Sequence, residues 1–573
     1  MEKIMKTIKY ILAVVLLAGL TSCTKTLDFT KINQNPNAIT ANEASARYFL
    51  TPVEYLLYAP DRYPYWRAQL IHGDRYAGYF TFGFNGSWWS DELGYKYDSG
   101  YTDAAYDWLA GYFGTLDNFM KLTKKGGDFE NDKMYAIGQI MKGMYFEKFT
   151  ETFGMIPYSQ VGNPSILTPK FDTQEDIYKG ILAGLDSAMT TIGDATRTGD
   201  GINDVGANDV FCHGDLQLWK KLANTVKLRI GLRAHGATGD NFSSATITQA
   251  LGAPLLDATS GDIVMEKDNI ISQWSSSCYG DVWWNFGGFG SKWKVSQPLI
   301  DYLRNNNDPR LAKYAKPAPG GTVTWIRPKQ ATNPSGYTLF PKRTDFILQT
   351  LTDAGVPYTK AGTTDSIVVT IPQNQYYIGQ PVRLNGFIYD YVSEPLFSDP
   401  ADEIVQQKNQ GKPIFPEIVM TSAVSYFMQA EAAVLGLGSG NANQLYQDGI
   451  RQAMKLWGVN DADIEAYLGS GVDLASLTGS SSSDLRKIAT QRWIASYTDG
   501  FEGWAVVRKS GYPASLANGV SDIDIYGLGD INGAYPTRMQ YGNSVKDNNG
   551  QNYQQAVSQQ GPDKQNTKLW FEK

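Results

Sequence analysis

The sequence contains few of the residues that build metal centres and nucleophilic active sites. Its 573 residues include 3 cysteines and 3 histidines, and His72, His213 and His235 stand far apart, each followed by glycine. Zinc sites and nucleophile–base pairs need such side chains in clusters or at short fixed spacings. The motifs G-x-S-x-G, H-E-x-x-H and G-x-x-x-x-G-K-[ST] do not occur either. We therefore expect no metal, no cofactor and no catalytic residue.

The body of the chain also lacks a basic run. Its 51 Lys and Arg are outnumbered by 58 Asp and Glu, which gives a formal charge of −7 and a pI near 5.3. Proteins that follow a phosphate backbone need a basic surface. Nucleic acid is therefore not an expected partner, whereas the hydrophobic content of 42% is sufficient for a large core.

A marked apolar run occurs only at the N-terminus. The segment "ILAVVLLAGL", residues 11–20, follows Lys3, Lys6 and Lys9, and is too short to span a bilayer. Basic residues before a short apolar run are typical of a secretory signal. The run ends in "LTSC", which resembles the lipobox of bacterial lipoproteins, with Cys23 as the lipidated residue. The alternative is an ordinary cleaved signal with an accidental cysteine.

The lipobox resemblance divides the chain into three parts. Residues 1–22 form a lipoprotein signal peptide, residues 23–40 a polar, Asn- and Pro-rich tether, and residues 41–573 a single body. Stable anchoring needs two or more acyl chains. We expect a lipid-anchored protein with a water-soluble body at a membrane surface.

The body retains two cysteines, Cys212 and Cys278. An exported protein can join them in one disulfide, and two free buried thiols are an equal alternative.

The dominant apolar period in the body is helical. In residues 131–152, for example, Ile137, Ile140, Met141 and Met144 recur on one face. Asp172 or Thr173 can cap the helix that begins "QEDIY". Helices are predicted at about 104–123, 131–152, 174–192, 215–235, 296–305, 423–437, 443–457 and 484–498.

Two regions depart from this period. Residues 317–395 are rich in Pro and Gly and contain the β-type runs "DSIVVTI" and "GFIYDYV", which predicts a loop-rich insertion with small β elements. From residue 527 onward Gly, Asn and Gln dominate and no helical period is visible. Aromatic residues in this tail predict that it is pinned to the body.

Aromatic residues concentrate in two loop-like segments. "FGFNGSWWSDELGYKYDSGY", residues 82–101, contains seven aromatic residues among Gly, Ser, Asn and Asp, and shows neither strand nor helix periodicity. "YGDVWWNFGGFGSKW", residues 279–293, repeats the Trp-Trp, Asn and Gly composition. Such rings lose contact with water only by packing on the protein or by binding a ligand.

This composition fits sugar recognition. Sugars present flat C–H faces between hydroxyls, so their sites need rigid aromatic surfaces beside amide and carboxylate groups. The alternative is that the rings only pin long loops to the body. The predicted platforms are Trp88, Trp89, Trp283 and Trp284, and the predicted polar partners are Asn85, Asp91, Asp281 and Asn285. Trp293 and Trp325 are weaker candidates.

Several phrases in order along the chain resemble the SusD/RagB-type nutrient-binding lipoproteins. They are "ETFGMIPYSQ" (151–160), "GDLQLWKKLANTVKLRIGLRA" (214–234), "YFMQAEAAVLGLG" (426–438), "GIRQAMKLWGV" (449–459) and "QRWIASYTDGFEGWAVVRKSGYP" (491–513). The resemblance implies a mainly α fold of stacked tetratricopeptide-like helix pairs, with a more irregular ligand-binding portion. No 34-residue repeat is visible in the sequence itself.

The resemblance also implies a function. Such proteins are outer-membrane, cell-surface lipoproteins that capture nutrients, most often glycans, and cap a SusC-like TonB-dependent transporter. The expected partners are this transporter, an oligosaccharide ligand and the outer membrane. Within the phrases, Trp219, Trp493 and Trp504 lie at helical spacing, which favours packing. Helix ends or interhelical carboxylates are the expected partners of Arg229, Arg233, Arg492 and Arg508.

Two other functions remain open. A lipid-anchored helical glycoside hydrolase also needs a Trp-rich cleft, and its paired carboxylates can lie anywhere in a sequence with 58 acidic residues. A binding lipoprotein for peptides or other small nutrients is the second alternative. "DIDIYG", residues 522–527, begins like a calcium loop, but Tyr526 and Gly533 replace expected ligands, so ordinary turn chemistry explains it better.

Overall fold

The computed structural model describes residues 44–82, 95–267, 278–280, 282–283, 293–392, 394–406 and 410–573. The chain divides at Ser45, and the body comprises Ala46–Lys573. The predicted signal peptide, the tether and Cys23 lie outside the described residues. No helix in the described part of the chain is long and apolar enough to cross a membrane.

The body is mainly helical. We number its principal helices α1 to α15 in chain order: α1 Leu50–Tyr58, α2 Ser99–Thr123, α3 Asp132–Phe153, α4 Gln174–Ile192, α5 Leu216–Ala234, α6 Ser243–Leu251, α7 Gln297–Asn305, α8 Pro334–Asp353, α9 Ser422–Val434, α10 Ala442–Leu456, α11 Asp461–Leu468, α12 Ser481–Ala495, α13 Gly500–Ser510, α14 Asn543–Asn548 and α15 Gly550–Gln560. A π-helix spans Tyr65–Asp74. Shorter α-helical turns occupy Arg62–Pro64, Leu311–Tyr314 and Ala514–Ala517.

Every helix predicted from the apolar period is present, with ends within a few residues of the expected ones. Thr173 is the cap of α4, since its side chain accepts a hydrogen bond from the Asp176 amide. Consecutive helices pack in pairs, α2 with α3, α3 with α4, α5 with α6, α9 with α10, and α12 with α13. This arrangement confirms the predicted fold of stacked helix pairs with small β elements.

The strands are short. They are β1 Phe80–Phe82, β2 Ile156–Pro157, β3 Phe171–Asp172, β4 Ile263–Met265, β5 Trp293–Val295, β6 Gly321–Ile326, β7 Thr359–Gly362, β8 Ser366–Ile371 and β9 Glu417–Met420. Antiparallel pairs join β1 to β5, β2 to β3 and β4 to β9, and the three-stranded sheet has the order β6-β8-β7. In that sheet Val323 lies opposite Val369 and Trp325 opposite Ile367.

The loop-rich region 317–395 is more ordered than its composition suggests. "DSIVVTI" supplies β8 as predicted, and the helix α8 lies between β6 and β7 although Pro341 stands inside it. The prediction of a β element in "GFIYDYV" is wrong, because Ile388–Asp390 form a 3-10 turn. Asn385 starts this turn by accepting hydrogen bonds from the amides of Phe387 and Ile388, which competes with strand pairing.

The C-terminal tail is pinned to the body by its aromatic residues, as predicted. The Tyr541 hydroxyl donates to the Met155 carbonyl at 2.6 Å, and the Trp570 indole donates to the Thr238 carbonyl at 3.0 Å. The tail nevertheless contains α14 and α15, whose polar sequences have too few apolar residues to show a period. Their order therefore depends on contacts with the body.

Trp219, Trp493 and Trp504 pack in the core as predicted, each fully buried. The indole N–H of each of these three residues donates a hydrogen bond, as a buried donor normally does. The acceptors are Asp209 Oδ2, the Ala77 carbonyl and the Pro536 carbonyl, each at 2.7 Å.

A buried ionic network joins the helix pairs. The Arg229 guanidinium on α5 donates twice to Glu147 on α3, at 2.7 and 2.6 Å. One turn further on, Arg233 donates to Glu151 at 3.1 Å. Glu502 on α13 accepts from Arg233 at 2.7 Å and from Arg492 on α12 at 2.7 Å. We call Arg229, Arg233, Arg492, Glu147, Glu151 and Glu502 the buried ionic network.

Electrostatics within the network favour a charged Glu502. Burial alone would raise the pKa of its carboxyl, but Arg233, Arg492 and Arg229 outweigh that effect and lower the pKa to about 2. The carboxylate therefore stays ionised under all ordinary conditions and compensates two largely buried guanidiniums.

Glu502→Gln should destabilise the protein strongly. The substitution keeps the shape but leaves Arg233 and Arg492 without their shared carboxylate, which should cost about 3–5 kcal/mol in the free energy of unfolding at pH 7. Because the folded-state pKa of Glu502 lies below its ordinary value of 4.5, the stabilisation is present above about pH 4.5 and lost as pH falls toward 2. Guanidinium chloride unfolding across this range measures the effect.

The matched control is Glu465→Gln, which removes a carboxylate from the exposed pair with Arg451 at 2.7 Å. An exposed pair contributes under about 1 kcal/mol. Equal losses in the two variants would contradict the role given to the buried ionic network.

Candidate functional site

The two aromatic segments are connected to one strand pair. In the antiparallel β1–β5 pair, Phe82 lies opposite Trp293 and Phe80 opposite Val295. Residues 83–94 follow Phe82 directly, and residues 284–292 directly precede Trp293. The residues that flank the two predicted ligand-binding segments, Phe82 and Trp293, therefore lie side by side at one end of the ribbon, although they are far apart in sequence.

Polar and cationic groups hold this ribbon in place. Gln380 donates from Nε2 to the Phe82 carbonyl and, at 3.3 Å, to Thr81 Oγ1. The Lys294 ammonium is 2.5 Å from Asp399 Oδ1 and donates to the Glu394 carbonyl at 3.1 Å. These buried contacts fix the strands that flank the aromatic segments.

Cation–π contacts continue on the β1 side. The Arg75 guanidinium lies 4.5 Å from the centre of the Phe82 ring and 5.4 Å from that of Tyr95. Arg383 lies 4.0 Å from the Tyr95 ring centre. Phe82 and Tyr95 are the described residues on either side of 83–94, so Arg75 contacts the residue before that segment and the residue after it.

The base of the second aromatic segment is fixed through Tyr279. Its hydroxyl lies 3.0 Å from Asp74 Oδ2 and 3.0 Å from the Thr498 carbonyl, and accepts from Gln69 Nε2 at 3.0 Å. Burial raises the pKa of Asp74 well above its usual value. Burial therefore favours the neutral form of this carboxyl, whose neighbours include the Tyr279 hydroxyl and the Gly500 amide.

The polar residues that hold Tyr279 come from the π-helix Tyr65–Asp74. π-helical turns are rare and occur frequently at functional sites. Sequence analysis did not find this element, because its period matches neither a helix nor a strand template. The only signal is the unusual run of buried polar residues it contains, Gln69, His72 and Asp74.

Two glycines of α13 allow the site to form. A Cβ at Gly500 would overlap Asp74, and a Cβ at Gly503 would overlap the Tyr79 hydroxyl. Tyr79 precedes β1 and donates to the Trp493 carbonyl at 2.6 Å. The π-helix and β1 thus reach their positions because α13 presents no side chain at these two points.

Among the predicted site residues, the described part of the chain includes only Trp283. Its ring is 5% exposed and belongs to the hydrophobic core, as the alternative of a loop-pinning ring expects. The remaining predicted ligand contacts lie outside the described residues: Asn85, Trp88, Trp89, Asp91, Asp281, Trp284 and Asn285. Trp293 and Trp325, the weaker candidates, are also buried.

One carboxyl pair in the described residues resembles the paired acids of a hydrolase. Glu54 and Asp209 are both 0% exposed, and burial, followed by the Asp209 charge, raises the pKa of Glu54 well above its usual value. Asp209 accepts from the amides of Cys212 and Gly214 and from the Trp219 indole. A polysaccharide cannot reach these groups, and their bonds are structural.

The carboxylates of the calcium-like segment 522–527 pair with a lysine from another part of the chain. The Lys342 ammonium is 2.8 Å from Asp522 Oδ1 and 2.7 Å from Asp524 Oδ2, so an internal cation pairs with both carboxylates. In the described part of the chain, no group of three or more His, Cys, Asp or Glu side chains could hold a metal ion. Of the two alternatives for the cysteines, the structure supports two buried thiols, since Cys212 and Cys278 are not joined in a disulfide.

Comparison with known proteins gives a family match over most of the body. A family model described as "Starch-binding associating with outer membrane", of the SusD-like type, matches residues 36–336 and 374–542. No protein with a curated description matches the chain.

Solved structures share the fold. A chitin-binding protein is 22% identical with a TM-score of 0.70, and the alignment covers 92% of this chain and 100% of that one. A SusD homologue from Bacteroides uniformis is 20% identical with a TM-score of 0.66, covering 92% and 99%. A SusD-like protein from Bacteroides thetaiotaomicron is 21% identical with a TM-score of 0.65, covering 92% and 98%.

The family match extends over most of the body and includes both aromatic segments and the strands that flank them. The chain therefore belongs to the SusD-like family of starch-binding proteins that associate with the outer membrane.

Proposed function

We propose that this protein is a cell-surface lipoprotein that captures glycans with its two aromatic segments and delivers them to a SusC-like TonB-dependent transporter. The observation that carries the proposal is the β1–β5 pair, which connects residues 83–94 and 284–292 to one end of one ribbon. Two segments of the same sugar-binding composition, attached to neighbouring strand ends, can contribute to a single site.

The chemistry of the segments supports a neutral glycan as the ligand. Trp88, Trp89 and Trp284 supply flat apolar faces, and Asn85 and Asn285 supply amides that both donate and accept hydrogen bonds. Sugar hydroxyls need both kinds of partner. An anionic ligand would instead require a concentration of basic residues, and residues 83–94 contain Asp91 and Glu92 but no Lys or Arg.

The comparisons supply the first ligands to test. The family is described as starch-binding, and one structural neighbour is a chitin-binding protein. Maltoheptaose and chitohexaose represent these two polysaccharides as soluble, neutral oligosaccharides. Either one presents the flat sugar faces that the aromatic segments are built to contact.

We further propose that the protein is not an enzyme. The buried Glu54–Asp209 pair is inaccessible, and the Asp522 and Asp524 carboxylates are engaged by Lys342. The family description names binding and no reaction. Incubation with starch or chitin should therefore release no new reducing ends, and their appearance would favour the hydrolase alternative.

Substitution of the aromatic residues tests the glycan site. Trp88→Ala, Trp89→Ala and Trp284→Ala should each weaken binding of the oligosaccharide that the wild type binds, by about thirtyfold for a ring that stacks on the sugar, or about 2 kcal/mol. Melting temperatures should change little. Trp283→Ala, unlike these three variants, should also lower the free energy of unfolding, by about 3–5 kcal/mol, because its ring is buried. Calorimetric titration and melting curves measure both effects.

Phe387→Ala is the control, since it removes an aromatic side chain that is 69% exposed and belongs to neither segment. It should leave affinity unchanged. Unchanged affinity in all four tryptophan variants, with lowered melting temperatures, would show that the rings only pin the loops.

The anchor is tested at Cys23. The lipobox-like "LTSC" predicts that Cys23 is acylated, so Cys23→Ala should release the protein from the membrane fraction. Fractionation of cells that lack the transporter removes indirect retention. A variant that still sediments with outer membrane would contradict lipidation at this residue.

The transporter is tested by purification. Anchoring two partners in one membrane raises their effective concentration, so a modest interface is enough to hold them together. Extraction of native membranes in mild detergent should recover the protein with a β-barrel transporter. Recovery of the protein alone in several detergents would contradict the pairing.

A further inference from the structure

A cavity lies between four helices of the body. It has a volume of about 380 Å³ and is lined from α5, α9, α12 and α13. Its most buried charged residues are Arg233 and Arg492, and half-exposed Leu435, Leu485 and Tyr512 lie toward its opening. The volume is within the range of small-molecule sites.

Cations dominate the charged lining of this cavity. Arg233, Arg492 and Lys509 face a single lining carboxylate, Glu431, which is 3.3 Å from Arg492. Glu151 and Glu502 also pair with the guanidiniums but do not line the cavity. The positive potential of the cavity wall is therefore only partly compensated from within the cavity.

The cations have hydrogen-bonding capacity left over. Arg492 is 5% exposed and lines the cavity beside Glu431, which accepts from its Nη1 at 3.3 Å. Lys509 uses two of its three ammonium protons, on the carbonyls of His235 at 2.8 Å and Phe571 at 2.9 Å. Buried donors of this kind are normally satisfied, so an acceptor from outside the chain would complete them.

The pKa of the Lys509 ammonium reflects both its burial and the neighbouring positive charge of Arg233. Burial, and then the charge of Arg233, lower the pKa of its ammonium to about 8, although Glu431, Asp240 and Glu572 act in the opposite direction. A bound anion would oppose the effect of the Arg233 charge on this pKa.

The walls define which anion fits. Leu232, Leu435, Leu485, Ala489 and Val506 give the cavity an apolar wall, with which a bare inorganic anion would make no favourable contact. Glu431 near the cations disfavours a dianion by charge repulsion. A single negative charge attached to an apolar body satisfies both conditions.

We propose that the cavity between α5, α9, α12 and α13 binds a small organic monocarboxylate, with the carboxylate on Arg492 and Lys509 and the apolar body against Leu435, Leu485 and Val506. This site is separate from the proposed glycan site, so either proposal can fail without the other. It gives the protein a second ligand of a different chemical class.

Calorimetric titration of the full protein with hexanoate tests the proposal. Hexanoate should bind at one site, and hexanamide, which has nearly the same shape but no charge, should bind at least about tenfold more weakly because a charge-assisted contact is lost. Inorganic phosphate should also bind more weakly. Equal binding of hexanoate and hexanamide, or no binding of hexanoate, would overturn the proposal.

Variants locate the binding. Lys509→Met should weaken hexanoate binding at least about tenfold, whereas Lys125→Met, which removes an exposed lysine elsewhere, should leave it unchanged. Ala489→Leu fills the cavity from its wall without altering a charge and should weaken binding as well. If Lys509→Met does not fold, Ala489→Leu alone tests whether hexanoate binds in this cavity. Hexanoate affinity unchanged in Ala489→Leu would place the carboxylate elsewhere and refute the site.

Discussion

The arrangement of the helices depends on charges that are buried and must be paired. Glu147 and Glu151 are one turn apart on α3, and Arg229 and Arg233 are one turn apart on α5, so the two rows match residue by residue. Glu502 on α13 and Arg492 on α12 complete the set. An unpaired buried charge costs several kcal/mol, so a slip of one helix along another is strongly disfavoured. The network specifies the register as much as it stabilises the fold.

The position of the proposed glycan site follows from that register. Glu502 fixes α13, and Gly500 and Gly503 on the same helix let Asp74 and Tyr79 approach it closely. Asp74 then holds Tyr279 at the base of one aromatic segment, and Tyr79 leads into β1 at the base of the other. The residues that flank the two segments are therefore held by buried contacts with the helical body.

Much of this fold could be predicted from the sequence, because amphipathic helices show their apolar face as a period. Among the helical elements that were not predicted, three have a clear physical reason. The helix α8 contains Pro341, α13 contains two glycines that its neighbours require, and the π-helix follows neither standard period. The composition of the aromatic segments indicated sugar binding, but their connection through β1 and β5 could not be foreseen, because three-residue strands leave no pattern. The buried ionic network was visible in the sequence only as three arginines, Arg229, Arg233 and Arg492, with expected interhelical partners.

The central claim is that the two aromatic segments form one glycan site at the end of the β1–β5 ribbon. Hydrogen exchange measured by mass spectrometry, with and without maltoheptaose or chitohexaose, tests it most directly because it reports on each segment separately. The account predicts that one of these sugars slows exchange in residues 83–94 and 284–292 together. Slowing in only one segment, or in neither with both sugars, would contradict it.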